Sequence, residues 1–334
     1  MLLALLVLLS GCSQEARLAA DLGGRADALL DAPLVDALHD ARFADSAADR
    51  GAPGQDTAVD LLGKDGGGQD GSTLSFELTV MAANLTSGTA QSYTPGHGAR
   101  IIEAFAPDVV LIQEFNYGAK TAADISTFVS STLGAGYHYV RGNGSIPNGV
   151  ISRYPILASG VWVDPEVSNR DFTWARIDLP GAKDLYAISV HLLTSKASKR
   201  TKEVKALLAF IQQHVPSGAL LVLGGDFNTT SRGEGCIAAL RQRFTIAAPY
   251  PADQSGNGHT NAHRNSPYDW VVVSPALHAL EVPLRVGSQS FAAGLVFDSR
   301  VYTPLSEVPP VLIGDSDAPQ MQHMAVLRRF HVTP

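Results

Sequence analysis

Polar side chains that can carry acid–base or metal chemistry occur where the apolar runs of this sequence end. An unpaired polar group costs several kcal/mol to bury, so such side chains have little use in the core of a strand. Open sheets instead collect ligand-binding residues at their strand ends. Because the set contains three carboxylates and two histidines, we expect its members to share one site. The members are Asn84, Glu114, His191, Asp226, Asn228, Asp269 and His323.

Hard oxygen ligands in this set indicate a divalent cation. Glu114 suits Mg²⁺, with Mn²⁺ or Ca²⁺ as further options, and Asn84 could add a carbonyl oxygen beside it. A single carboxylate is enough for Mg²⁺ when a substrate phosphate completes the coordination shell. The two histidines and one Asp could act as acid, base or transition-state donor. A hard metal beside these groups points to hydrolysis of a phosphoryl or phosphodiester bond.

The motifs of other hydrolase classes are not found. The sequence contains no HExxH and no CxxC motif, which argues against a zinc site. The sequence has no GxSxG elbow of a serine hydrolase and no P-loop. These absences favour the metal-dependent alternative.

From residue 73 onward, segments with a β-strand pattern alternate with segments with a helical pattern. Helices are predicted over "PGHGARIIEAFA", "AADISTFVSSTL" and the amphipathic "KRTKEVKALLAFIQQHV". Strands are predicted in "LSFELTVMAAN", "DVVLIQEF", "YHYVRG", "NGVISRYPI", "ASGVWV", "FTWARIDL", "DLYAISVHLLTS", "ALLVLGGDFN", "YDWVVVS" and "MAVLRRFHV".

The stretch "LGGDFN" has a spacing of its own. Period two predicts that Asp226 and Asn228 point to the same side of an extended chain, with Phe227 in the core. Gly224 and Gly225 would let the backbone turn close to a phosphate, because they have no Cβ.

The N-terminal residues are typical of a targeting segment. Residues 2–9 form an apolar run that is too short to span a bilayer but fits the core of an export signal. The run leads into "LSGC", which resembles the lipobox of bacterial lipoproteins, so Cys12 is predicted to be lipidated. The other cysteine, Cys236, is expected to be a small buried apolar residue. Residues 1–12 are therefore predicted to be a lipoprotein-type signal peptide of an exported, lipid-anchored protein of the bacterial cell envelope, the alternative being an ordinary signal peptide of a secreted protein.

The segment that follows the signal peptide is acidic, whereas the remainder of the chain has equal numbers of basic and acidic residues. The formal net charge is −7, and residues 13–71 contain 5 Lys/Arg and 12 Asp/Glu, whereas the rest contains 20 of each. Residues 13–72 are rich in Ala, Asp and Gly and are predicted to be a disordered acidic tether. Residues 73–334 form the predicted catalytic domain. Its neutral balance gives no bulk attraction to nucleic acid, although a local basic patch remains compatible with it.

A collinear series of motifs resembles the endonuclease/exonuclease/phosphatase superfamily. The series covers about residues 75–332 and comprises "MAANLTSG", "PDVVLIQEF", "NGVISRYPI", "ISVHLLTS", "LVLGGDFNTT", "SPYDWVVVS" and "MQHMAVLRRF". The resemblance implies an α/β fold of the DNase I type: a four-layer sandwich of two packed mixed β-sheets flanked by helices. It also implies a site at one edge of the sandwich.

The resemblance implies a role for each matching residue. Glu114 matches the family's metal ligand and Asn84 the strand-end Asn beside it. Asp226 matches the Asp that orients or deprotonates the attacking water, and Asn228 matches the Asn that holds a phosphate oxygen. His191 matches a phosphate-contacting or leaving-group histidine of the DNase and sphingomyelinase branches. In the last motif His323 matches the late histidine, which Asp269 orients.

Two positions depart from the family pattern. Gln322 precedes His323 where many members have an Asp, and Thr86 stands where some members have another Asp. Both departures remove carboxylates and favour a single metal ion held chiefly by Glu114. Asp315 and Asp317 are the nearby carboxylates that could compensate.

Two weaker candidates flank the strand in "NGVISRYPI". Arg153 could reach a phosphate, although a solvated turn charge is an equally good interpretation. Asn148 precedes the strand and is the weaker candidate of the two. Both are predicted as substrate-binding residues only on their position.

The function implied is a Mg²⁺-dependent phosphodiesterase of the nuclease type, with nucleic acid as the first substrate class and a monomeric state. An alternative is a hydrolase of phospholipid head groups, for which "VWVDPEVSNRDFTW" is a candidate exposed loop, or of inositol phosphates. A non-catalytic surface binding protein that has kept the fold is the alternative from another class.

Overall fold

The computed structural model describes residues 75–88, 91–181 and 183–333. The chain divides after residue 72, and all described residues belong to the second unit, Thr73–Pro334. The predicted signal peptide, the lipidation of Cys12 and the acidic tether lie outside the described residues. Within the described ranges, no helix combines the length and the hydrophobicity needed to cross a bilayer.

Fourteen strands and five α-helices make up the described part of the chain. The strands are β1 Phe76–Ala83, β2 Val109–Ile112, β3 His138–Arg141, β4 Gly149–Ser152, β5 Ile156–Trp162, β6 Phe172–Ile177, β7 Leu185–His191, β8 Leu220–Asp226, β9 Asp269–Val273, β10 Glu281–Val282, β11 Leu284–Val286, β12 Gln289–Phe291, β13 Leu295–Phe297 and β14 Ala325–Val332. The helices are α1 His97–Phe105, α2 Ala122–Leu133, α3 Ala197–His214, α4 Gly235–Leu240 and α5 Pro275–His278.

Two mixed sheets contain most of the strands. The larger sheet has the order β10-β14-β1-β2-β4-β3, with β13 also paired to β14, and the smaller has the order β5-β6-β7-β8-β9. Strands β11 and β12 form a separate pair. Every segment predicted as a strand contains one, and "AADISTFVSSTL" coincides with α2, whose first turn Thr121 and Asp124 close with a capping box.

Four layers result from the period-two alternation of apolar residues. In β1, Leu78 and Val80 face the other sheet, where they pack with Ala187 and Val222, whereas Met81 faces the opposite side. Helices α1 and α2 cover that outer face of the larger sheet, and α3 and α4 cover the outer face of the smaller one. The structure therefore confirms the predicted sandwich.

Each sheet contains one pair of parallel strands joined by a helix. Strands β1 and β2 are parallel and are connected by α1, and strands β7 and β8 are parallel and are connected by α3. Because parallel strands end at the same edge of a sheet, each pair brings two strand-end residues together. Four of the predicted site residues follow or end these four strands.

Candidate active site

The edges of the two sheets meet at Asn84. This residue follows β1 in the larger sheet, and its Nδ2 lies 3.4 Å from Oε1 of Glu114, which follows β2. The same Nδ2 lies 3.2 Å from Oδ2 of Asp226, at the end of β8 in the smaller sheet. The amide of Asn84 therefore connects the two carboxylates across the sandwich.

Asp226 lies at the centre of the cluster. Its register partners are His191 on the parallel strand β7 and Asp269 on the antiparallel strand β9. Nε2 of His191 lies 3.2 Å from Oδ2 of Asp226. The backbone N–H of Asn228 donates to Oδ1 at 2.8 Å, and its side-chain Nδ2 donates to Oδ2 at 3.1 Å. Four polar groups thus fix the orientation of this carboxylate.

Asn228 orients Asp226 and does not offer a donor to a phosphate oxygen in this arrangement. Its Nδ2 also donates to the Leu192 carbonyl at 2.9 Å, so both of its N–H groups are engaged. Strand β8 ends at Asp226, and Asn228 has φ 51°, so the side chains meet through a turn and not through the extended chain predicted from period two. Phe227 is buried as predicted.

His323 enters the cluster from the segment before β14. Its Nδ1 lies 3.0 Å from Oδ2 of Asp269. Backbone hydrogen bonds from Met324 to Thr260 (2.7 Å) and from Ala262 to Gln322 (2.8 Å) hold this segment beside the loop before β9. The predicted Asp–His pair is therefore present, and a carboxylate on one ring nitrogen fixes which nitrogen carries the proton.

The two histidines of the cluster differ in charge, because their surroundings shift their pKa values in opposite directions. Burial acts to lower the pKa of His323, but the carboxylates of Asp269 and Asp226 raise it to about 10. Burial lowers the pKa of His191 well below its usual range, and the positive charges of Arg170 and His323 lower it further. At neutral pH His323 is an imidazolium that donates from Nδ1 to Asp269 and carries its second proton on Nε2, 3.6 Å from Oδ2 of Asp226, whereas His191 is neutral.

Neutral His191 leaves one nitrogen available to a ligand. If Nε2–H donates to Asp226, Nδ1 carries a lone pair, and this buried atom has no hydrogen-bond partner. It lies 3.9 Å from Oε1 of Glu114. A buried acceptor without a donor costs about 1–3 kcal/mol, which is a reason to expect a bound water or cation at this point.

Glu114 and Asn84 have the chemistry of a divalent-cation site. Glu114 is only 6% exposed, and burial raises its pKa, so the carboxylate requires nearby positive charge. Thr86 donates to its Oε2 at 3.0 Å. Oδ1 of Asn84 is buried without a partner. The carboxylate and this amide oxygen are ligands of the type that Mg²⁺ takes.

A second group of potential ligands lies beside the first. Single atoms of Asp226, Asp269 and His323 all lie within 4.8 Å of one another. Glu114 with Asn84 and this group are thus two adjacent sets of potential ligands, and the second set can hold an ion only when His323 has lost a proton. Asp315 and Asp317 do not add a further ligand: Arg100 and His97 bind Asp315, and Asp317 is exposed and paired with Arg300.

The two weaker candidates lie at opposite ends of β4. Asn148 precedes β4 at the end near Glu114, since Pro147 accepts from the Phe115 N–H, and its buried Oδ1 has no partner. Arg153 follows β4 beside the start of β2, where it donates to the Ala106 carbonyl and pairs with Asp108 at 3.1 Å. The structure therefore does not bring Arg153 into the site, which corrects the prediction.

Arg170 is a site residue that the sequence did not reveal. It is 2% exposed, its Nη2 lies 3.5 Å from the Leu192 carbonyl, and its Nε has no hydrogen-bond partner. Its positive charge acts on Glu114 and on His191, lowering the pKa of each. The sequence around it, "SNRDF", shows no periodicity or motif that distinguishes this arginine from others.

A buried ion pair ties together the loops that carry His191 and Asp226. Arg200 of α3 donates from Nε and Nη2 to Glu234 at 3.0 and 2.9 Å. Its Nη1 donates to the carbonyls of Leu193 and Thr194, after His191, both at 2.9 Å. Glu234 accepts in turn from the N–H of Thr230, after Asn228, at 2.7 Å. We refer to Arg200 and Glu234 as the loop clamp.

The two glycines before Asp226 are required by the sandwich and not by a phosphate. A Cβ on Gly224 would lie 2.7 Å from both Leu111 of the facing sheet and the Trp270 carbonyl. A Cβ on Gly225, which has φ 132°, would lie 2.1 Å from the Val190 carbonyl. These contacts correct the prediction that the glycines allow a close approach to substrate.

A comparison of the sequence with known protein families identifies the same family as the sequence motifs do. Residues 99–290 match the Endonuclease/Exonuclease/phosphatase family. No curated protein matches the sequence. The family match extends over more than half of the chain.

Solved structures of low sequence identity share the fold. An endonuclease/exonuclease/phosphatase from Beutenbergia cavernae is 18% identical, with a TM-score of 0.53 over 77% of this chain and 72% of that chain. One from Bacteroides vulgatus is 14% identical, with a TM-score of 0.55 over 78% and 100%. D. rerio TDP2 complexed with a single-strand DNA product is 16% identical, with a TM-score of 0.51 over 77% and 99%.

Proposed function

Because the chain belongs to the endonuclease/exonuclease/phosphatase family, we propose that it is a divalent-metal-dependent hydrolase of phosphodiester bonds. The observation that carries the proposal is the convergence of seven predicted residues from both sheets on one buried cluster around Asp226. A protein that had lost catalysis would have no need to keep three buried carboxylates and two buried histidines, since each is costly to desolvate.

The charge states suggest a division of labour between the residues. Asp226, held by Asn228, orients the attacking water and accepts its proton. His323 is the protonated histidine, so it donates to the leaving oxygen, while Asp269 maintains its charge. Neutral His191 accepts a hydrogen bond at Nδ1, and Arg170 stabilises negative charge on the phosphate. A divalent ion held by Glu114 and Asn84 would supply further positive charge to the phosphoryl oxygens.

Nucleic acid is the substrate class that we favour. Arg170 provides a buried cation at the site although the domain carries no net charge, and D. rerio TDP2, which shares the fold, was solved with a single-strand DNA product. Backbone phosphates are commonly bound by such arginines. The experiment is a substrate panel of plasmid DNA, RNA, sphingomyelin and inositol phosphates, each with Mg²⁺ and with EDTA. Metal-dependent cleavage of DNA or RNA supports the proposal, and no cleavage of any substrate contradicts it.

A phospholipid substrate remains the second candidate because of one surface feature. Leu312 and Ile313, in the segment between β13 and β14, are 59% and 70% exposed. The stretch that the sequence suggested for this role contributes one exposed apolar side chain, Val163 at 68%, whereas its Trp162 is 9% exposed and stacks on Trp174 and Phe210. Cleavage of sphingomyelin but not of DNA in the same panel would select this candidate.

We also propose that the protein is exported and anchored to a membrane of the cell envelope through lipidation of Cys12. The support is the apolar run of residues 2–9 followed by "LSGC". Labelling of the full chain with radioactive palmitate in a bacterial host tests this. Label in the wild-type protein and none in Cys12→Ala supports the anchor, and equal label in both excludes Cys12 as its position.

A further inference from the structure

A cavity of about 420 Å³ lies beside the edge strand β9. Its lining includes Thr260 and Asp269, and Asp269 is the partner of His323. Arg232 and Tyr250 belong to the same lining, and Arg232 follows Asn228 by only four residues. The cavity is therefore adjacent to the candidate active site and shares only Asp269 with its cluster.

One charge in the cavity wall has no counter-ion. Glu281 pairs with Arg328, whose Nε donates to it at 2.7 Å, and Asp269 pairs with His323. Arg232 forms no ion pair with any described residue. Each carboxylate in the wall is thus neutralised by a partner of its own, which leaves Arg232 as the uncompensated cation.

The guanidinium of Arg232 is held in a fixed orientation. Its Nη2 donates to the Gly258 carbonyl at 2.8 Å, and its carbon lies 4.6 Å from the centre of the Tyr250 ring. Its Nε is buried and has no hydrogen-bond partner. A planar guanidinium fixed by an aromatic ring loses little entropy when it binds a planar or tetrahedral anion. Since an unmade hydrogen bond of a buried charged group is costly, the arrangement favours an anionic ligand.

We propose that Arg232 and Tyr250 form a subsite for a phosphate group other than the one that is cleaved. The proposal rests on the proposed function and narrows its substrate class to chains with several phosphates, such as a single strand of nucleic acid. A substrate with one phosphate can fill the active site but not this subsite. Arg232 then favours long polyanions over substrates with one phosphate because it increases their binding affinity, without taking part in the chemical step.

Equilibrium binding tests the subsite without any turnover. Binding of a fluorescent single-stranded oligonucleotide to the full chain is measured by anisotropy in EDTA at several salt concentrations. A charge-assisted hydrogen bond contributes about 1.5–3 kcal/mol, so Arg232→Gln is expected to weaken binding about 10-fold to 100-fold. The slope of log K against log salt should also fall by about one. The control is Arg153→Gln: Arg153 lies outside the active site and pairs with Asp108, so this variant should bind the oligonucleotide as the wild type does.

Unchanged oligonucleotide binding in Arg232→Gln, or no binding by the wild-type protein, overturns the subsite.

Kinetics give a second readout, the ratio of kcat/KM for the oligonucleotide to that for bis-p-nitrophenyl phosphate, which carries one phosphate. This ratio should fall about tenfold or more in Arg232→Gln, mainly through KM, and recover in part in Arg232→Lys. An equal loss on both substrates overturns the proposal. Hydrolysis of neither substrate by the wild type refutes the proposed function, whereas the binding result still decides the subsite.

Discussion

His191 and Asp226 are register partners on the parallel strands β7 and β8, and Nε2 of one lies 3.2 Å from Oδ2 of the other. The pairing is a consequence of topology, because both residues end their strands at the same edge of the smaller sheet. It keeps the neutral imidazole donating to the carboxylate and leaves Nδ1 directed towards the Glu114 side of the cluster. One strand pair therefore orients a base and a hydrogen-bond acceptor together.

Removing the hydroxyl of Thr86 is expected to weaken metal binding. Thr86 donates to Oε2 of Glu114 at 3.0 Å and so fixes the proposed ligand. Loss of such an outer-shell partner costs about 10-fold to 100-fold in metal affinity. Calorimetric titration with Mg²⁺, Mn²⁺ and Ca²⁺ should show this loss in Thr86→Val and near wild-type affinity in Thr86→Ser. Equal affinity in both variants and the wild type would place the ion elsewhere, and no metal binding by the wild type would favour the non-catalytic binder.

Breaking the loop clamp is expected to destabilise the fold. Arg200 is 3% and Glu234 9% exposed, so Arg200→Met leaves a buried carboxylate without its partner. Such losses cost about 3–5 kcal/mol, which urea unfolding measures. The control is Arg176→Met, whose pair with Asp184 is largely exposed, and exposed pairs contribute about 1 kcal/mol or less. Similar losses in the two variants would contradict the role given to the clamp.

The stability of the protein should depend on Asp315 in acid. Burial acts to raise the pKa of Asp315, but hydrogen bonds from Arg100, Leu312 and His97 lower it overall. Because the folded pKa lies below the unfolded one, this carboxylate stabilises the fold above the unfolded pKa and loses its effect as the pH falls through the folded pKa. The free energy of unfolding should therefore differ between wild type and Asp315→Asn at pH 7, and the difference should shrink towards pH 2. A difference that is independent of pH would refute this, and exposed Asp317→Asn is the control.

Loss of the charge on His323 should affect poor leaving groups most. Asp269 and Asp226 keep this histidine protonated, so Asp269→Asn lowers its pKa and with it the fraction of the enzyme whose His323 carries a proton to donate. General acid catalysis contributes about 10²-fold to 10⁴-fold, and an alkoxide needs the proton more than p-nitrophenolate does. The rate of cleavage should therefore fall further for DNA than for bis-p-nitrophenyl phosphate. An equal fall for both substrates would assign the proton donor to another residue.

Strands β1–β9 and β14, helices α1–α3 and most of the cluster were predictable because the information is local, whereas the short elements β10–β13, α4 and α5 were not predicted. Apolar period two marks the strands, and a polar residue at each strand end marks the edge of the sheet. The Thr121–Asp124 capping box and the apolar pattern after it similarly mark α2. The register that pairs His191 with Asp226 then follows from the parallel topology, which the resemblance supplied.

The remainder depends on contacts between residues far apart in the sequence. Arg170 and Arg232 are two of many arginines in loops, and only the fold shows that one is buried against the Leu192 carbonyl, next to His191, and that the other forms no ion pair with a described residue. The constraint on Gly225 comes from Val190 on a neighbouring strand, which the local sequence does not show. Asn148 and Arg153 flank β4, so only one of them can lie at the active-site edge, and the motif alone does not state the direction in which its strand runs.

The proposed function is tested most directly by the rate of bis-p-nitrophenyl phosphate hydrolysis by the full chain, measured with Mg²⁺ and with EDTA, for the wild type, Asp226→Ala and Arg153→Gln. We expect hydrolysis by the wild type that requires the metal, a loss of about 100-fold or more in Asp226→Ala, and wild-type activity in Arg153→Gln. Hydrolysis that persists in Asp226→Ala, or that is indifferent to EDTA, would contradict the proposed function.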